Sequence, residues 1–399
     1  MIKVLQICNK APYPANDGSS IAIYNMAKGL MQNDVELHLL TINTKKHFKE
    51  DDAVPLDFKT RSHYRSVYRD TDTSAIGALM NLLSSDSYFV SRFYFKGFEE
   101  ILIAKLKQTS FDVIQLEGLF MGVYLDAIRK NTKAKVVLRA HNVEHLIWER
   151  HIANEKNSIK HFYLKLQNKR LKKFEETVFE KVDAIAAITD ADKVIIEKMN
   201  KKAKVFTCIT GVDLQDYELK KDVKKQENTL FYFGSMDWLP NQEAVEWFIA
   251  NCWNDVLKLH PNCKFIIAGR NMPPKFKNIN LPNVQCIENV SDNVEFYSKY
   301  DLMLVPLLSG SGLRIKIIEG LSFGKAIIST SIGAEGIPVA NGKELILADG
   351  KDAFIKAIDS VLRSPKMKND LEAQAKNFAA VNLDNKRICS NLVQFYTSL

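Results

Sequence analysis

Short apolar runs rich in β-branched residues alternate with longer stretches of helical periodicity along most of this chain. Such alternation is typical of parallel sheets covered by helices on both faces. In the first half, the predicted strands are residues 3–8, 35–42, 112–116, 135–139, 184–188 and 204–208. In the second half, they are residues 229–233, 264–268, 284–287, 302–305, 326–329 and 345–347. The pattern predicts an α/β protein with two doubly wound, Rossmann-like units.

A break between the two series of strands predicts the domain boundary. With 399 residues, the chain exceeds the ~250–300 residues at which a single core stops growing. Residues 210–228 are polar and charged and have neither helical nor strand periodicity, which favours a linker. We therefore predict domains at residues 1–210 and 211–379. A final helix, at about 380–399, can pack back on the first domain.

The charge balance and the amino terminus restrict partners and location. The formal charge of +8 and the pI near 8.9 fit a negatively charged partner, such as nucleotide phosphates or anionic lipid. We expect no nucleic-acid partner. The amino terminus lacks a signal-peptide pattern, and no apolar run reaches the ~18 residues of a membrane span. A cytoplasmic protein is expected.

Two segments stand outside the regular pattern. Residues 156–181 predict a long helix in which lysines lie among aromatic and aliphatic residues. It is either a surface that binds anionic lipid, giving peripheral association with the cytoplasmic face of the inner membrane, or an ordinary solvated helix face. Residues 43–97 are polar and aromatic with little strand alternation, which predicts either a binding loop or a variable surface insertion.

The segment 302–323 has the layout of an anion site. Residues 302–305 predict a strand, Pro306 ends it, residues 309–312 form a small loop, and residues 313–323 predict a helix. Gly310 and Gly312 permit positive φ and close backbone approach, and Ser311 or Gly312 can cap the helix. The N–H groups of the first helical turn attract an anion.

Charged residues follow this loop. Arg314 and Lys316 add two positive charges, and Glu319 shares a helix face with Lys316 because it lies three residues later. A carboxylate beside a phosphate site can accept hydrogen bonds from the two hydroxyls of a ribose. The alternative is a simple turn, with the two cations solvated and Glu319 paired to one of them.

In the first domain, His141 follows the strand predicted at 135–139. A histidine at the carboxyl end of a strand can bond sugar hydroxyls or guide a proton, and the alternative is a structural histidine that anchors the loop. His141 and His145 are one helical turn apart, but there is no HExxH pattern and no third ligand nearby, so we predict no metal site.

Several segments together resemble one known family. They are PYPANDG (12–18), HNVEH (141–145), FEKVDAIAAITDADK (179–193), TGVD (210–213), FGSMDWLPNQEAVEWF (233–248) and GSGLRIKIIEGLSFGKAIISTSIGAEGI (310–337). The chain resembles the retaining glycosyltransferases of family 4 (glycosyl transferases group 1). That resemblance implies the GT-B fold, in which two Rossmann-like domains face a central cleft.

The resemblance also implies an activity. A sugar would pass from a nucleotide diphosphate sugar to a hydroxyl of a saccharide or lipid-linked acceptor, in polysaccharide or glycolipid synthesis, with retention and without a metal cofactor. Arg314 and Lys316 would hold the diphosphate, Glu319 the ribose, and the loop around Asn289 to Asp292, which includes Val290, the base. His141 is expected to act in catalysis. Further donor contacts are expected from Gly234, Ser235, Asp237, Asn241, Gly269, Arg270, Gly310, Ser311, Gly312 and Leu313, and acceptor contacts from Asp17, Gly18 and Asn142.

The sequence departs from the common family pattern in two places. Many members have glutamates eight positions apart, but the residue eight before Glu319 is Ser311. Many also have an arginine and a lysine after the first strand of the second domain, where this chain has GSMDWLPNQ (234–242). The second departure puts the neutralisation of the diphosphate more heavily on Arg314 and Lys316 and leaves the contacts of Asp237 and Asn241 open. The two departures also leave open a nucleotide-sugar epimerase of the same fold, or a non-catalytic nucleotide- or sugar-binding relative.

Overall fold

A computed structural model describes residues 1–15, 17–45, 48, 53–153, 155–310 and 312–399. The chain divides into two compact units. The first unit is Met1–Thr210 together with Lys386–Leu399, and the second is Gly211–Asn385. Each unit is built around one parallel sheet. None of the helices in the described part of the chain is both long and apolar enough to cross a membrane.

The first unit contains a seven-stranded sheet with the order β3-β2-β1-β4-β5-β6-β7. Its strands are β1 (Lys3–Cys8), β2 (Glu36–Thr44), β3 (Arg65–Arg69), β4 (Val113–Glu117), β5 (Lys135–Ala140), β6 (Ala184–Ala187) and β7 (Val205–Thr207). All neighbouring strands pair in parallel. The strand order reverses between β1 and β4, and the crevice outside the carboxyl ends of two such strands is where ligands bind in open α/β sheets.

Helices cover both faces of this sheet. They are α1 (Gly18–Met31), α2 (Leu56–Arg61), α3 (Ala75–Asn81), α4 (Tyr88–Ser91), α5 (Lys96–Gln108), α6 (Leu125–Asn131), α7 (Glu144–Ala153), α8 (Ser158–Lys181) and α9 (Asp190–Met199), with a 3-10 helix at Leu119–Tyr124. The side chains of β1 pack alternately into two hydrophobic cores on opposite faces of the sheet: Leu5 and Ile7 lie in one core, and Val4 and Cys8 lie in the other. This alternation follows from the two-residue period of a strand.

The prediction for residues 43–97 needs correction. Apart from residues 46, 47 and 49–52, which lie outside the described residues, this region contains the end of β2, the strand β3, the helices α2 to α4, and the start of α5. Strand β3 lies at the edge of the sheet and pairs with β2 from Arg65 to Arg69. Its side chains are mostly exposed or half-buried. An edge strand with no buried face lacks the apolar alternation by which strands are recognised.

The second unit contains a six-stranded sheet with the order β10-β9-β8-β11-β12-β13. Its strands are β8 (Gln226–Phe233), β9 (Lys264–Gly269), β10 (Val284–Glu288), β11 (Tyr300–Val305), β12 (Ile327–Ser329) and β13 (Ile346–Leu347). Its helices are α10 (Leu239–Phe248), α11 (Asn254–Leu259), α12 (Pro274–Lys277), α13 (Asn293–Lys299), α14 (Ile315–Ser322), α15 (Lys351–Arg363) and α16 (Pro365–Asn382), with a π-helical turn at Ile249–Trp253. Here the strand order reverses between β8 and β11.

The segment predicted as a linker, 210–228, is partly regular. It contains a 3-10 helix at Leu214–Tyr217, and β8 begins within it at Gln226. The first residues of β8 are polar and largely exposed, which explains why the sequence pattern shows the strand only from Thr229.

The last helix, α17 (Asn385–Thr397), packs on the first unit. Its residues Cys389, Leu392 and Tyr396 are buried in the same core as Val4 and Ile23. The Tyr396 hydroxyl also donates a hydrogen bond to Gln115, a buried residue of β4. The carboxyl-terminal helix is therefore part of the first unit's core.

Candidate active site

The loops that follow β8 and β11 meet where the strand order of the second unit reverses. Lys316, the second residue of α14, extends its side chain beneath the loop after β8. Its Nζ donates to the Tyr232 hydroxyl at 2.6 Å and to Asn241 Oδ1 at 2.8 Å. Tyr232 in turn donates to Asn241 Oδ1 at 2.6 Å, and Asn241 Nδ2 donates to the Ser235 carbonyl at 2.7 Å. These bonds use two of the three ammonium donors and fix the amine in place.

Gly234 makes room for this amine. A Cβ added at Gly234 would lie 2.7 Å from Lys316 Nζ and 3.1 Å from Asn241 Nδ2. Any side chain there would push the lysine out of its position. The glycine that ends the first strand of the second unit is therefore required by the packing of Lys316.

The charged side chains of this site are shielded from water to different degrees, since Arg314 is buried whereas Lys316 and Glu319 are half-buried. Burial, aided by the charge of Arg314, lowers the pKa of Lys316 to about 7, and Glu319 opposes that shift. Burial raises the pKa of Glu319 to about 7, against the effect of Lys316. The Glu319 carboxylate accepts no hydrogen bond from the residues that the structure describes. A half-buried carboxylate without donors favours a ligand that brings hydroxyl groups.

Arg314 lies just before α14 and is 4% exposed. Its guanidinium stands 5.8 Å from the centre of the Trp238 ring and donates to the Gly312 carbonyl. The predicted helix start needs correction, because α14 begins at Ile315 and Arg314 occupies the N-cap position without a side-chain cap bond. Gly312 therefore does not cap the helix, and Ser311 lies outside the described residues.

Two glycines shape the loop before Arg314. Gly310 and Gly312 have φ values of +116° and +77°, a region that L side chains rarely adopt. A Cβ at Gly310 would also lie 3.0 Å from the Trp238 ring. Leu313, between Gly312 and Arg314, is half-buried. Glycine is therefore needed both for the turn and for the packing of Trp238.

The loops after β8 and β9 are joined to each other. Arg270 Nε donates to Ser235 Oγ at 2.8 Å, and Ser235 Oγ donates to Asp237 Oδ1 at 2.5 Å. A Cβ at Gly269 would lie 1.7 Å from the Gly234 carbonyl oxygen. Although burial raises the pKa of Asp237, its hydrogen bonds and the charge of Arg270 keep that pKa below the usual value.

Val290 follows β10 at the same edge of the sheet. Glu288, the last residue of β10, pairs with Gly269, and the next residue, Asn289, donates its N–H to the Gly269 carbonyl at 2.9 Å. Val290 is half-buried. The structure thus places the predicted base-binding loop beside the loop that carries Arg270.

In the first unit, His141 follows β5 and bonds a carboxylate that the sequence did not predict. His141 Nε2 lies 2.7 Å from Glu117 Oε2. Glu117 is fully buried at the end of β4 and also accepts from Arg139 Nη1 at 3.2 Å and from Gln6 Nε2 at 2.9 Å. Burial raises the pKa of Glu117, but Arg139 and His141 outweigh it and hold the pKa below its usual value. Glu117 is therefore ionised and orients the His141 ring.

Comparison with known proteins identifies the family. The family model described as Glycosyltransferase Family 4 matches residues 16–216, and the one described as Glycosyl transferases group 1 matches residues 227–364. The chain belongs to glycosyltransferase family 4, the glycosyl transferases of group 1. Its catalytic class is therefore glycosyl transfer from a nucleotide-sugar donor.

Individual relatives support the fold of this glycosyltransferase. An uncharacterized 44.6 kDa protein in the cps region of Klebsiella pneumoniae is 23% identical over 407 residues, which cover 98% of this chain and 99% of that protein. Anabaena Alr3699/HepE in complex with UDP has a TM-score of 0.69 and 12% identity, with 100% of both chains covered. Sucrose-phosphate synthase from Thermosynechococcus elongatus has a TM-score of 0.69 and 12% identity over 100% of this chain and 99% of that one. The fold is the two-domain, Rossmann-like GT-B fold.

This glycosyltransferase has a second carboxylate near its glycine loop. Ser309 Oγ donates to Glu243 Oε2 at 2.8 Å. Glu243 lies in α10 and is half-buried. No local sequence signal marks it, because its proximity to the loop depends on a contact across 66 positions of the chain.

The turn after His141 is anchored by another buried carboxylate, Glu175 of α8. Glu175 accepts from the Glu144 N–H at 2.8 Å and bonds His145 Nδ1 at 2.5 Å. His141 and His145 thus bond different carboxylates. Burial and the charge of Glu175 raise the pKa of Glu144 to about 7, while a hydrogen bond with Asn142 opposes the shift. The structure places Asn142 between His141 and this buried network.

Asp17 caps the first helix of the glycosyltransferase. Its side chain accepts from the N–H groups of Ser19 and Ser20, both at 3.1 Å, and from Lys10 Nζ at 2.7 Å. Gly18 is the first residue of α1 and is exposed. Any contact of Asp17 with an acceptor therefore has to coexist with its role as a helix cap.

Three side chains that could ligate a metal meet elsewhere in the first unit. Ligand atoms of Glu36, His38 and His63 lie within 4.8 Å of one another. However, Lys3 already pairs with Glu36 at 3.0 Å, and the two imidazoles stack with their ring centres 4.1 Å apart. Stacked rings present their nitrogens side by side rather than toward one point, and the lysine disfavours a second cation.

Proposed function

We propose that this glycosyltransferase moves a sugar from a nucleotide diphosphate sugar to a hydroxyl of a saccharide or lipid-linked acceptor, with retention at the anomeric carbon. The observation that carries this proposal is the pair of cations, Arg314 and Lys316, held beside the glycine loop at the carboxyl end of β11. A buried arginine and a half-buried lysine with fixed side chains suit a diphosphate better than a neutral ligand.

The donor would contact three parts of the second unit. Arg314 and Lys316 bind the diphosphate, Glu319 accepts from the ribose hydroxyls, and the loop at Val290 contacts the base. Two of the similar solved structures are complexes of Alr3699/HepE with UDP and with UDP-glucose. A uridine diphosphate sugar is therefore the first donor to test.

In this mechanism, the chain's cations stabilise the leaving group. The bond between the anomeric carbon and the diphosphate oxygen breaks as the bond to the acceptor oxygen forms, and the acceptor's proton passes to a diphosphate oxygen. Negative charge grows on the diphosphate as the sugar becomes oxocarbenium-like, so fixed cations bind the transition state more strongly than the ground state. We propose that these side chains supply the neutralisation without a metal ion.

Glu243 is proposed to supply the carboxylate that the family pattern lacks at Ser311. It is held 2.8 Å from Ser309, in the same loop as Gly310. A carboxylate accepts hydrogen bonds from sugar hydroxyls, and those bonds strengthen as the ring gains positive charge. Glu243 would therefore contact the transferred sugar, and Glu319 the ribose.

The first unit is proposed to bind the acceptor. His141 uses Nε2 to bond Glu117, which leaves Nδ1 for a sugar hydroxyl. Asp17, Gly18 and Asn142 are proposed as further acceptor contacts. A role in polysaccharide synthesis is supported by the relative described as a protein in the cps region of Klebsiella pneumoniae.

Calorimetry with UDP-, GDP- and ADP-sugars tests the donor site, followed by transfer assays with saccharide and lipid-linked acceptors. Arg314→Ala and Glu319→Ala should each weaken donor binding by ~10- to 150-fold, because each removes charge-assisted hydrogen bonds. Wild-type affinity in both variants would refute the site.

A changed donor sugar without any acceptor would identify an epimerase, and binding without transfer would identify a non-catalytic relative. Activity that survives in excess EDTA would support the metal-free mechanism, and its loss would refute that part of the proposal.

A further inference from the structure

Helix α3 of the first unit and the turn that follows it present apolar side chains to solvent. Ile76, Leu79, Met80 and Leu83 are all exposed, Leu83 at 89% and Ile76 at 77%. Ile76, Leu79 and Met80 are three and four residues apart and therefore lie on one side of α3, and Leu83 lies in the turn just after the helix ends at Asn81. No charged residue occurs between Asp72 and Asp86. Soluble monomers rarely expose such a contiguous apolar patch unless another surface covers it.

Helix α3 is held against α8 by hydrogen bonds at its carboxyl end. Gln167 Nε2 donates to Asn81 Oδ1 at 2.9 Å, and Arg170 Nη1 and Nη2 donate to the carbonyls of Asn81 and Leu82 at 3.0 and 3.2 Å. The guanidinium thereby binds the carbonyls at the carboxyl end of α3, where a cation is also favoured by the helix dipole. The two helices therefore form one surface.

The outer face of α8 carries both apolar and cationic side chains. Ile159 and Phe162 are 84% and 73% exposed. Lys165, Lys169 and Lys173 follow Phe162 at helical spacing and are exposed, opposite the buried residues of α8. None of these three lysines forms an ion pair with any residue in the described part of the chain. From Lys156 to Lys173, with both ends included, the sequence has seven lysines and arginines and no acidic residue.

A groove runs along the other side of the same lysines. It lies between α7 and α8 and has a volume of about 630 Å³. Its lining includes Ile152, Phe162 and Leu166, three lysines (Lys165, Lys169 and Lys172) and one acidic residue, Glu149, so the charge of the lining is net positive. Apolar walls with ammonium groups beside them match an amphiphile that combines a hydrocarbon part with a negative charge.

We propose that the surface formed by α3 and the outer face of α8, here called the α3–α8 surface, binds an anionic lipid bilayer. The apolar residues of α3 and Phe162 enter the interface between headgroups and acyl chains, and the lysines of α8 bind lipid phosphates. A merely solvated basic helix would explain the lysines but not the exposed apolar face fixed beside them. This inference goes beyond the donor site, since it concerns only the first unit.

The test uses the full chain and sedimentation with vesicles of phosphatidylcholine alone or mixed with phosphatidylglycerol. The protein should sediment with the mixed vesicles and not with the neutral ones, and high salt should release it. The triple variant Ile76→Ser, Leu79→Ser, Leu83→Ser should bind at least tenfold more weakly, and so should Lys165→Ala, Lys169→Ala, Lys173→Ala. All six side chains are exposed, so both variants should keep the wild-type melting temperature.

A matched control removes three exposed lysines elsewhere: Lys201→Ala, Lys202→Ala, Lys221→Ala. It has the same change in net charge and should bind vesicles like the wild type. Nucleotide binding measured by calorimetry should be unchanged in all three variants, which separates this proposal from that of the donor site.

Equal binding to neutral and anionic vesicles would overturn the proposal. So would a dimer in solution that the α3 variant converts to a monomer, because a second copy would then cover the surface.

Discussion

Replacing Lys316 with methionine separates donor binding from stability. Methionine keeps most of the length of the side chain and removes the ammonium group. The hydrogen bond between Tyr232 and Asn241, 2.6 Å long, does not involve the lysine and should survive. Lys316→Met should therefore leave Tyr232 and Asn241 bonded to each other, while removing a charge whose burial destabilises the folded protein.

The size of that cost follows from the pKa. Burial, with the charge of Arg314, lowers the pKa of Lys316 from 10.5 to about 7. At about 1.4 kcal/mol per pH unit, a charged Lys316 destabilises the fold by up to ~5 kcal/mol. Because the folded-state pKa is lowered, the cost is fully present below pH 7, shrinks as the pH rises, and is gone above 10.5. The lost hydrogen bonds offset part of the gain, which leaves the variant more stable by about 2 kcal/mol at pH 7.

Donor binding should change in the opposite direction. Losing a charge-assisted bond to the diphosphate costs ~1.5–3 kcal/mol, or ~10- to 150-fold in the Kd of UDP. Binding of the UDP anion favours the ammonium form of Lys316. Above pH 7, where part of Lys316 is neutral, the wild type should therefore take up a proton when UDP binds. Its Kd for UDP should then rise by up to about tenfold per pH unit. Lys316→Met should lose most of this pH dependence.

Titration calorimetry with UDP, from pH 7 upward and in two buffers of different ionisation enthalpy, measures both the affinity and the proton uptake. Thermal melting measures the stability. Lys325→Met is the matched control. Lys325 is a buried lysine whose pKa, like that of Lys316, is lowered by burial, here to about 8. It precedes β12 at the amino edge of the sheet, away from the glycine loop. It should alter stability and leave UDP affinity unchanged. A Lys316→Met protein that melts lower and binds UDP like the wild type would refute the reasoning.

Three further substitutions test other parts of the structure. Glu243→Gln should leave the Kd of UDP unchanged and lower kcat with a UDP-sugar by ~10-fold or more, since it removes a charge near the sugar only; equal kcat would exclude that role. Glu117→Gln leaves Arg139 as a buried, unpaired charge, so the unfolding free energy should fall by ~3–5 kcal/mol, measured by denaturant titration. Gly269→Ala places a Cβ 1.7 Å from the Gly234 carbonyl, and both melting temperature and UDP affinity should fall; a wild-type melt would show that the two loops can separate.

The sheets could be predicted because most of their strands are buried on both faces. In β11, all six residues are buried, and residues 302–305 form a continuous apolar run between the polar Asp301 and Pro306 at the strand's end. Strand β3 lacks that signal because it is an edge strand with exposed side chains. The start of α14 was placed two residues early, since Leu313 and Arg314 are good helix formers and the bends at Gly310 and Gly312 determine where the helix begins.

The candidate site was partly visible in the sequence. Arg314, Lys316 and Glu319 lie within one short segment, so their association needs only local geometry. The bond of Lys316 to Tyr232 and Asn241, the salt bridge of Glu117 with Arg139, and the contact of Glu243 with Ser309 join different elements. Strand order and register determine such contacts, and neither can be read from residue spacing along the chain.

The position of α17 makes the second unit an insertion within the first. The chain leaves the first unit after Thr210 and returns at Lys386. Residues 211–385 therefore form a continuous piece that could be expressed alone with its own sheet intact. Residues 1–210 alone would lack Cys389, Leu392 and Tyr396, which fill the core around Val4 and Ile23. A stable first unit should instead be obtained by joining residue 210 to residue 386 through a short, flexible connector.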